Sequence, residues 1–73
     1  MMRQITRLIQ NGWVITEIRF DKWQNFYYLG ASHESGEASA SSAGQTMGEA
    51  INNLCSDANA KTPAWYLAQL KAA

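Results

Sequence analysis

The sequence predicts an α+β fold in two layers, a three-stranded antiparallel sheet packed by N-terminal and C-terminal helices. The element order is α-β-β-β-α plus a short C-terminal helix. Three observations predict it. Apolar residues recur at helical spacing through the first ten positions. A β-branched and aromatic run, WVITEIRF, follows at Trp13 to Phe20. A T-x-x-E capping box at Thr46 to Glu49 then opens a second helical stretch. With 73 residues, the chain holds one small domain, spanning residues 1–73.

Met2, Ile5, Leu8 and Ile9 form the apolar stripe of the first helix, with Arg3, Gln4, Thr6, Arg7 and Gln10 opposite. Asn11-Gly12 stops it, because glycine tolerates the left-handed conformation of a helix C-terminus. Strict alternation in the next run puts Val14, Thr16, Ile18 and Phe20 on one face of a strand. Trp13, Ile15, Glu17 and Arg19 then share the other. Asp21 to Asn25 is polar and reads as a hairpin connection. A second strand spans about Phe26 to Ser32, with Tyr27, Leu29 and Ala31 on one face and Phe26, Tyr28 and Gly30 on the other.

Residues 31–44 contain five Ser, four Ala and two Gly. His33-Glu34-Ser35-Gly36 reads as a turn, and Glu37 to Ala43 as an edge strand of small side chains with weak intrinsic propensity. The capped helix beginning at Thr46 places Met47, Ala50, Ile51, Leu54, Cys55 and Ala58 on one face. Thr62-Pro63 pairs an N-cap with proline at a first helical position, and Tyr66, Leu67 and Leu70 form a short stripe after it.

Composition narrows the function classes. Six basic and six acidic residues cancel, which argues against a protein that works mainly by neutralising phosphates. No apolar run approaches the ~20 residues that span a bilayer, so no membrane partner is expected. Arg3 and Arg7 interrupt the first apolar pattern, unlike a secretory leader. Cys55 is the sole cysteine, so no internal disulfide can form, and a cytoplasmic location is the expectation. Eleven of the apolar residues are alanine, leaving a small core whose stability can depend on a partner.

Two segments carry a resemblance. Gly12-Trp13-Val14-Ile15 opens the first strand, and Gly44-Gln45-Thr46-Met47-Gly48-Glu49-Ala50-Ile51 opens the second helix. Together they resemble the G-W-x-V and G-x-T-x-x-E-A-[IL] elements of HicB-like small proteins of phages and prophages, over about sixty per cent of the chain. The α-β-β-β-α order also resembles the double-stranded RNA-binding domain fold. The resemblance implies a small bacterial or phage adaptor or inhibitor, located in the host cytoplasm if phage-encoded. An anti-defence role such as inhibition of a CRISPR effector is one version of it. HicB antitoxins carry a DNA-binding segment after this unit, and Lys61 to Ala73 is too short for one, so repressor activity is not expected.

No catalytic, cofactor-binding or metal-binding residue is assigned, and the chain is not expected to be an enzyme. His33, Glu34 and Glu37 offer at most three ligands in a Ser/Gly-rich turn, which reads as solvated rather than as a metal site. Cys55 lies on the apolar face near a helix C-terminus, where the dipole disfavours a thiolate. Arg3, Arg7, Arg19 and Lys22 are the nucleic-acid-binding candidates. Residues 45–60, where an RNA-binding domain of this order places its phosphate contacts, contain no Lys or Arg.

Protein binding is the leading expectation. Two short helices cover one sheet face, so aromatics drawn from Trp13, Trp23, Phe26, Tyr28, Trp65 and Tyr66 should form an exposed docking patch for a host protein. The edge strand Glu37 to Ala43 offers a second mode, strand addition. The alternatives are an RNA-binding or HicB-type antitoxin-like module and a structural homodimer.

Overall fold

A computed structural model of the chain describes residues 2–72. The elements run α1 (Met2–Gln10), β1 (Trp13–Asp21), β2 (Phe26–His33), β3 (Ser39–Gly44), α2 (Met47–Lys61) and α3 (Ala64–Ala72). The strands form one antiparallel sheet in the order β1-β2-β3. Helices α1 and α2 pack on one face of it and against each other, giving the expected two-layer α+β arrangement.

Helix α1 buries Leu8 and half-buries Ile5 against this face. Ile9, expected in the same stripe, is exposed, and the side chain of Met2 lies outside the described residues. The helix ends as expected at Gly12, whose φ of 91° is left-handed. Gly12 N–H donates to the Ile9 carbonyl at 3.1 Å.

Strand β1 departs from strict alternation. Ile15 pairs with Ala31 while Glu17 pairs with Gly30, so Thr16 is an extra residue in a β-bulge. The bulge inverts the side-chain phase halfway along the strand. Trp13, Ile15, Ile18 and Phe20 therefore share the helix-side face, opposite His33, Ala31, Leu29 and Tyr27. Val14, Glu17 and Arg19 lie on the bare face. Without the bulge, one apolar pair would point the wrong way.

The contact between α2 and the sheet depends on small residues. Ala31, Ala40, Ala50 and Ala58 are all buried beside Leu29, Ile51 and Leu54. Thr46 caps α2, its side chain accepting from the Glu49 N–H at 3.1 Å as the capping box predicts. Ser42 donates its hydroxyl to the Ala50 carbonyl at 2.7 Å. The β3 backbone is also engaged from α2. Ser41 N–H donates to Asp57 at 3.3 Å, and the Asn53 amide donates to the Ala43 carbonyl at 2.9 Å. At this edge, where strand addition is expected, two backbone groups already have side-chain partners from α2. Lys61 holds the Asp57 carboxyl below its ordinary range through a 3.1 Å ion pair, so Asp57 stays an acceptor for the strand.

Thr62 does not cap α3. It closes α2, donating its hydroxyl to the Ala58 carbonyl at 2.8 Å and accepting from the buried Trp13 indole N–H at 3.0 Å. The first backbone bonds of α3 instead go to the Pro63 carbonyl, from Tyr66 at 3.1 Å and Leu67 at 3.3 Å.

The close approach of α2 to β3 yields a direct test. A Cβ on Gly44 would sit 2.6 Å from the Ala50 nitrogen, and rigid backbone cannot give way as a side chain can. Gly44→Ala should lower unfolding free energy by about 1–3 kcal/mol in urea titrations. An unchanged midpoint would contradict this packing.

Candidate interaction surfaces

The aromatic residues gather at two opposite ends of the sheet. Phe20, Trp23, Phe26, Tyr27 and Tyr28 lie on the β1–β2 hairpin. Trp13, Trp65 and Tyr66 lie at the other end, around His33. The expected single patch is thus replaced by two clusters with different roles.

The hairpin end is exposed and well ordered by hydrogen bonds. Asp21 holds the turn, its carboxylate accepting from Trp23 N–H at 2.9 Å and Gln24 N–H at 3.2 Å. Asn25 takes the left-handed conformation at φ 59° and donates its N–H to the Asp21 carbonyl at 2.7 Å. The Tyr28 hydroxyl donates to Gln24 at 2.9 Å. This framework presents Trp23 with 88% of its surface exposed. On the helix side, Phe20 and Tyr27 pack at 4.8 Å between centroids. On the bare face, Phe26 and Tyr28 are half-buried, and the Arg19 guanidinium lies 4.9 Å from the Tyr28 ring. Lys22 lies 5.5 Å from the Trp23 ring.

The other end is a docking node. Trp13, expected among the exposed aromatics, is 1% exposed and belongs to the core. Its position on the helix-side face, beside His33, puts it there. His33, expected in a solvated turn, is 3% exposed. Its Nε2 lies 2.8 Å from the Asn11 carbonyl, which can only accept, so Nε2 carries the proton. Nδ1 then accepts from Ser35 N–H at 3.2 Å and lies 2.8 Å from the Ser35 hydroxyl. The ring meets Trp13 edge-on at 5.2 Å and Tyr66 edge-on at 4.6 Å. Glu34 accepts from the Tyr66 hydroxyl at 2.7 Å, and Glu37 from the Trp65 indole at 3.0 Å. His33, Glu34 and Glu37 thus all meet side chains of α3. Among the described residues, no group of three or more His, Cys, Asp or Glu side chains has the arrangement to hold an ion.

The basic candidates do not converge on one surface. Arg3 and Arg7 are exposed on α1, in the helical layer. Arg19 lies on the bare face, and Lys22 at the hairpin tip. The Cys55 thiol lies 3.8 Å from the Gln4 carbonyl, and burial pushes its pKa up. That disfavours the thiolate a nucleophile needs.

Two concavities flank α1. A groove of about 460 Å³ runs between α1 and α2, with Leu8 and Cys55 among its lining and Gln4 donating to Asn52 across it. An apolar cleft of about 230 Å³ opens between α1, β1 and the N-terminal half of α2. Sequence periodicity missed this cleft, because the bulge that turns Ile18 toward it has no sequence signature here. No helix among the described residues is long and apolar enough to cross a membrane. Comparison with protein-family models, curated proteins and solved structures found no match to this chain.

The α3 anchor has a pH signature. The hydrogen bond to Glu34 is the main cause that raises the Tyr66 pKa above its ordinary value, with burial adding to it. The folded state therefore holds this proton more tightly than the unfolded state. The stabilisation is present below about pH 10, the ordinary tyrosine value, and is lost as pH rises through the raised value. Absorbance titration should show the Tyr66 phenol ionising late in the native protein, and Glu34→Gln should bring it earlier. An unchanged titration in that variant would remove the Tyr66–Glu34 bond from the account.

Proposed function

We propose that the chain is a small non-catalytic protein-binding module of phage or prophage type, which blocks or modulates a host protein by docking its β1–β2 hairpin on it. The observation that carries this reading is Trp23. A tryptophan left 88% exposed on a turn held by Asp21 and Gln24 has no folding role. Burial of such a side chain in a partner is where its contact area is realised, and Trp anchors dominate many interfaces. Phe20 and Ile18, also exposed, extend the apolar surface on the helix side. Arg19 and Lys22 supply a basic rim beside the aromatic rings. The hairpin is ordered before binding, so docking loses little conformational entropy there. The mechanism is steric, since it rests on occupancy rather than on a reacting group. The phage origin and the anti-defence role rest on size and on the resemblance carried by Gly12–Ile15 and Gly44–Ile51.

The test compares wild-type, Trp23→Ala and Arg19→Glu/Lys22→Glu baits in host lysate, with and without nuclease. The expected result is one stoichiometric protein that survives nuclease and is lost with Trp23→Ala, a binding cost of at least about 2 kcal/mol. The same variant should leave folding stability within about 0.5 kcal/mol, as befits an exposed site. Trp13→Ala, by contrast, should cost about 3–5 kcal/mol of stability. A partner set that vanishes with nuclease and with reversal of the basic residues would favour the RNA-binding alternative. A protein partner retained by Trp23→Ala would overturn the hairpin as the docking site.

A further inference from the structure

The two edges of the sheet are unequal. The β3 edge meets α2, whose Asp57 and Asn53 already bond the Ser41 N–H and the Ala43 carbonyl. The other edge is β1, which pairs only with β2, and among the described residues no strand lies along its outer side. Residues 16–20 are all exposed, in a nine-residue strand rich in β-branched and aromatic side chains. In β2, by contrast, Ser32 alone is exposed. A long exposed edge of this composition is a template for another strand, because the N–H and C=O groups on its outer side lack strand partners.

Charge selects which strand fits. Glu17 and Arg19 stand on the bare face, two residues apart, with Ile18 between them on the helix side. Neither makes an ion pair among the described residues. The Arg19 guanidinium lies 4.9 Å from the Tyr28 ring, which holds it on that face. A strand added to β1 must match face to face, so only every second register is allowed. With a second β1 as the added strand, a register centred on Glu17 opposes the two glutamates. One centred on Arg19 opposes the two arginines. One centred on Ile18 sets Glu17 of each copy opposite Arg19 of the other. We propose that β1 is a self-association site, at which two copies pair antiparallel about a two-fold axis through Ile18. Directly opposite Cβ atoms lie about 5 Å apart in such a pair, within reach of a Glu–Arg contact. Ile18, 66% exposed in the single chain, meets its counterpart on the axis. The bulge at Thr16 and the turn held by Asp21 bound the pairing stretch on either side. The contact uses the same surface of both copies, so it closes at two chains. The outer edges of the joined sheet are then the two β3 strands. Trp23, at the hairpin tip, lies outside the contact, so the pair leaves both hairpins free to dock.

Sedimentation or light scattering across micromolar concentrations reads the association directly, and the mass should rise from one chain to two. Glu17→Arg alone, or Arg19→Glu alone, sets like charges opposite each other at both positions and should weaken the pair by about tenfold or more. Mixing these two variants restores both opposite-charge contacts, so a mixed pair should form where neither variant pairs by itself. Ile18→Lys should also weaken the pair, while Trp23→Ala leaves it unchanged. All four residues are exposed in the single chain, so native circular dichroism should persist. A single-chain mass at every concentration overturns the proposal. So does a pair indifferent to both charge reversals, or a mixture no tighter than its components. Growth beyond two chains would mean open-ended pairing and overturns it as well. A pair lost with Trp23→Ala but kept by the charge reversals would place self-association at the hairpin, which also overturns it.

Discussion

The buried imidazole of His33 joins the parts of this protein that have few other contacts with one another. One nitrogen binds the carbonyl at the end of α1 and the other binds the turn that leads into β3. Its ring makes edge-on contacts with Trp13 from β1 and Tyr66 from α3. Trp13 in turn fastens the end of α2 through Thr62. A buried polar ring is costly unless both nitrogens are matched, and here they are. Gly12 makes the arrangement possible, since a Cβ at that position would lie 2.8 Å from both the His33 and Tyr66 rings. The left-handed turn and the close approach are therefore two demands on one residue.

Alanines and glycine let α2 lie close on β2 and β3 as far as the Gly44–Ala50 approach opposite Tyr27, and polar groups of α2 satisfy the β3 edge. On the β1 side, the helices cover the sheet less completely. The bulge at Thr16 brings Ile18 and Phe20 to the helix side, where neither is buried. The protein thus has a closed end, built around His33, and an apolar end with an exposed hairpin. A small chain cannot bury all its apolar surface, and this one leaves Ile18, Phe20 and Trp23 exposed together toward the hairpin end. That exposure is the physical basis for reading the hairpin and the β1 edge as interaction surfaces.

The hairpin offers a large aromatic anchor on a turn held by side-chain hydrogen bonds, which suits a pocket on a partner. The neighbouring cleft is lined by apolar side chains alone, and Ile18 at its mouth is shared with the hairpin surface.

Much of the architecture was legible in local signals. The glycine stop after α1, the aromatic strand run, the hairpin polarity and the Thr46 capping box each act within a few residues, so sequence determined them alone. The exposure of Trp23 followed the same logic, because a polar turn holds few neighbours to bury it. Tertiary structure decided what depends on residues far apart in the chain. Alternation could not reveal the bulge, which puts Trp13, Ile15, Ile18 and Phe20 on one face of the strand. Nor could composition show that Trp13 and His33 would be buried partners, since their contact is created by strand register. Thr62 read locally as a cap for the helix after it, yet the Trp13 indole and the Ala58 carbonyl draw it to the helix before. Glu34 and Glu37 read as solvated carboxylates and became the acceptors that anchor α3. Local propensity sets where elements begin and end, whereas long-range hydrogen bonds and shared burial set which face each side chain occupies.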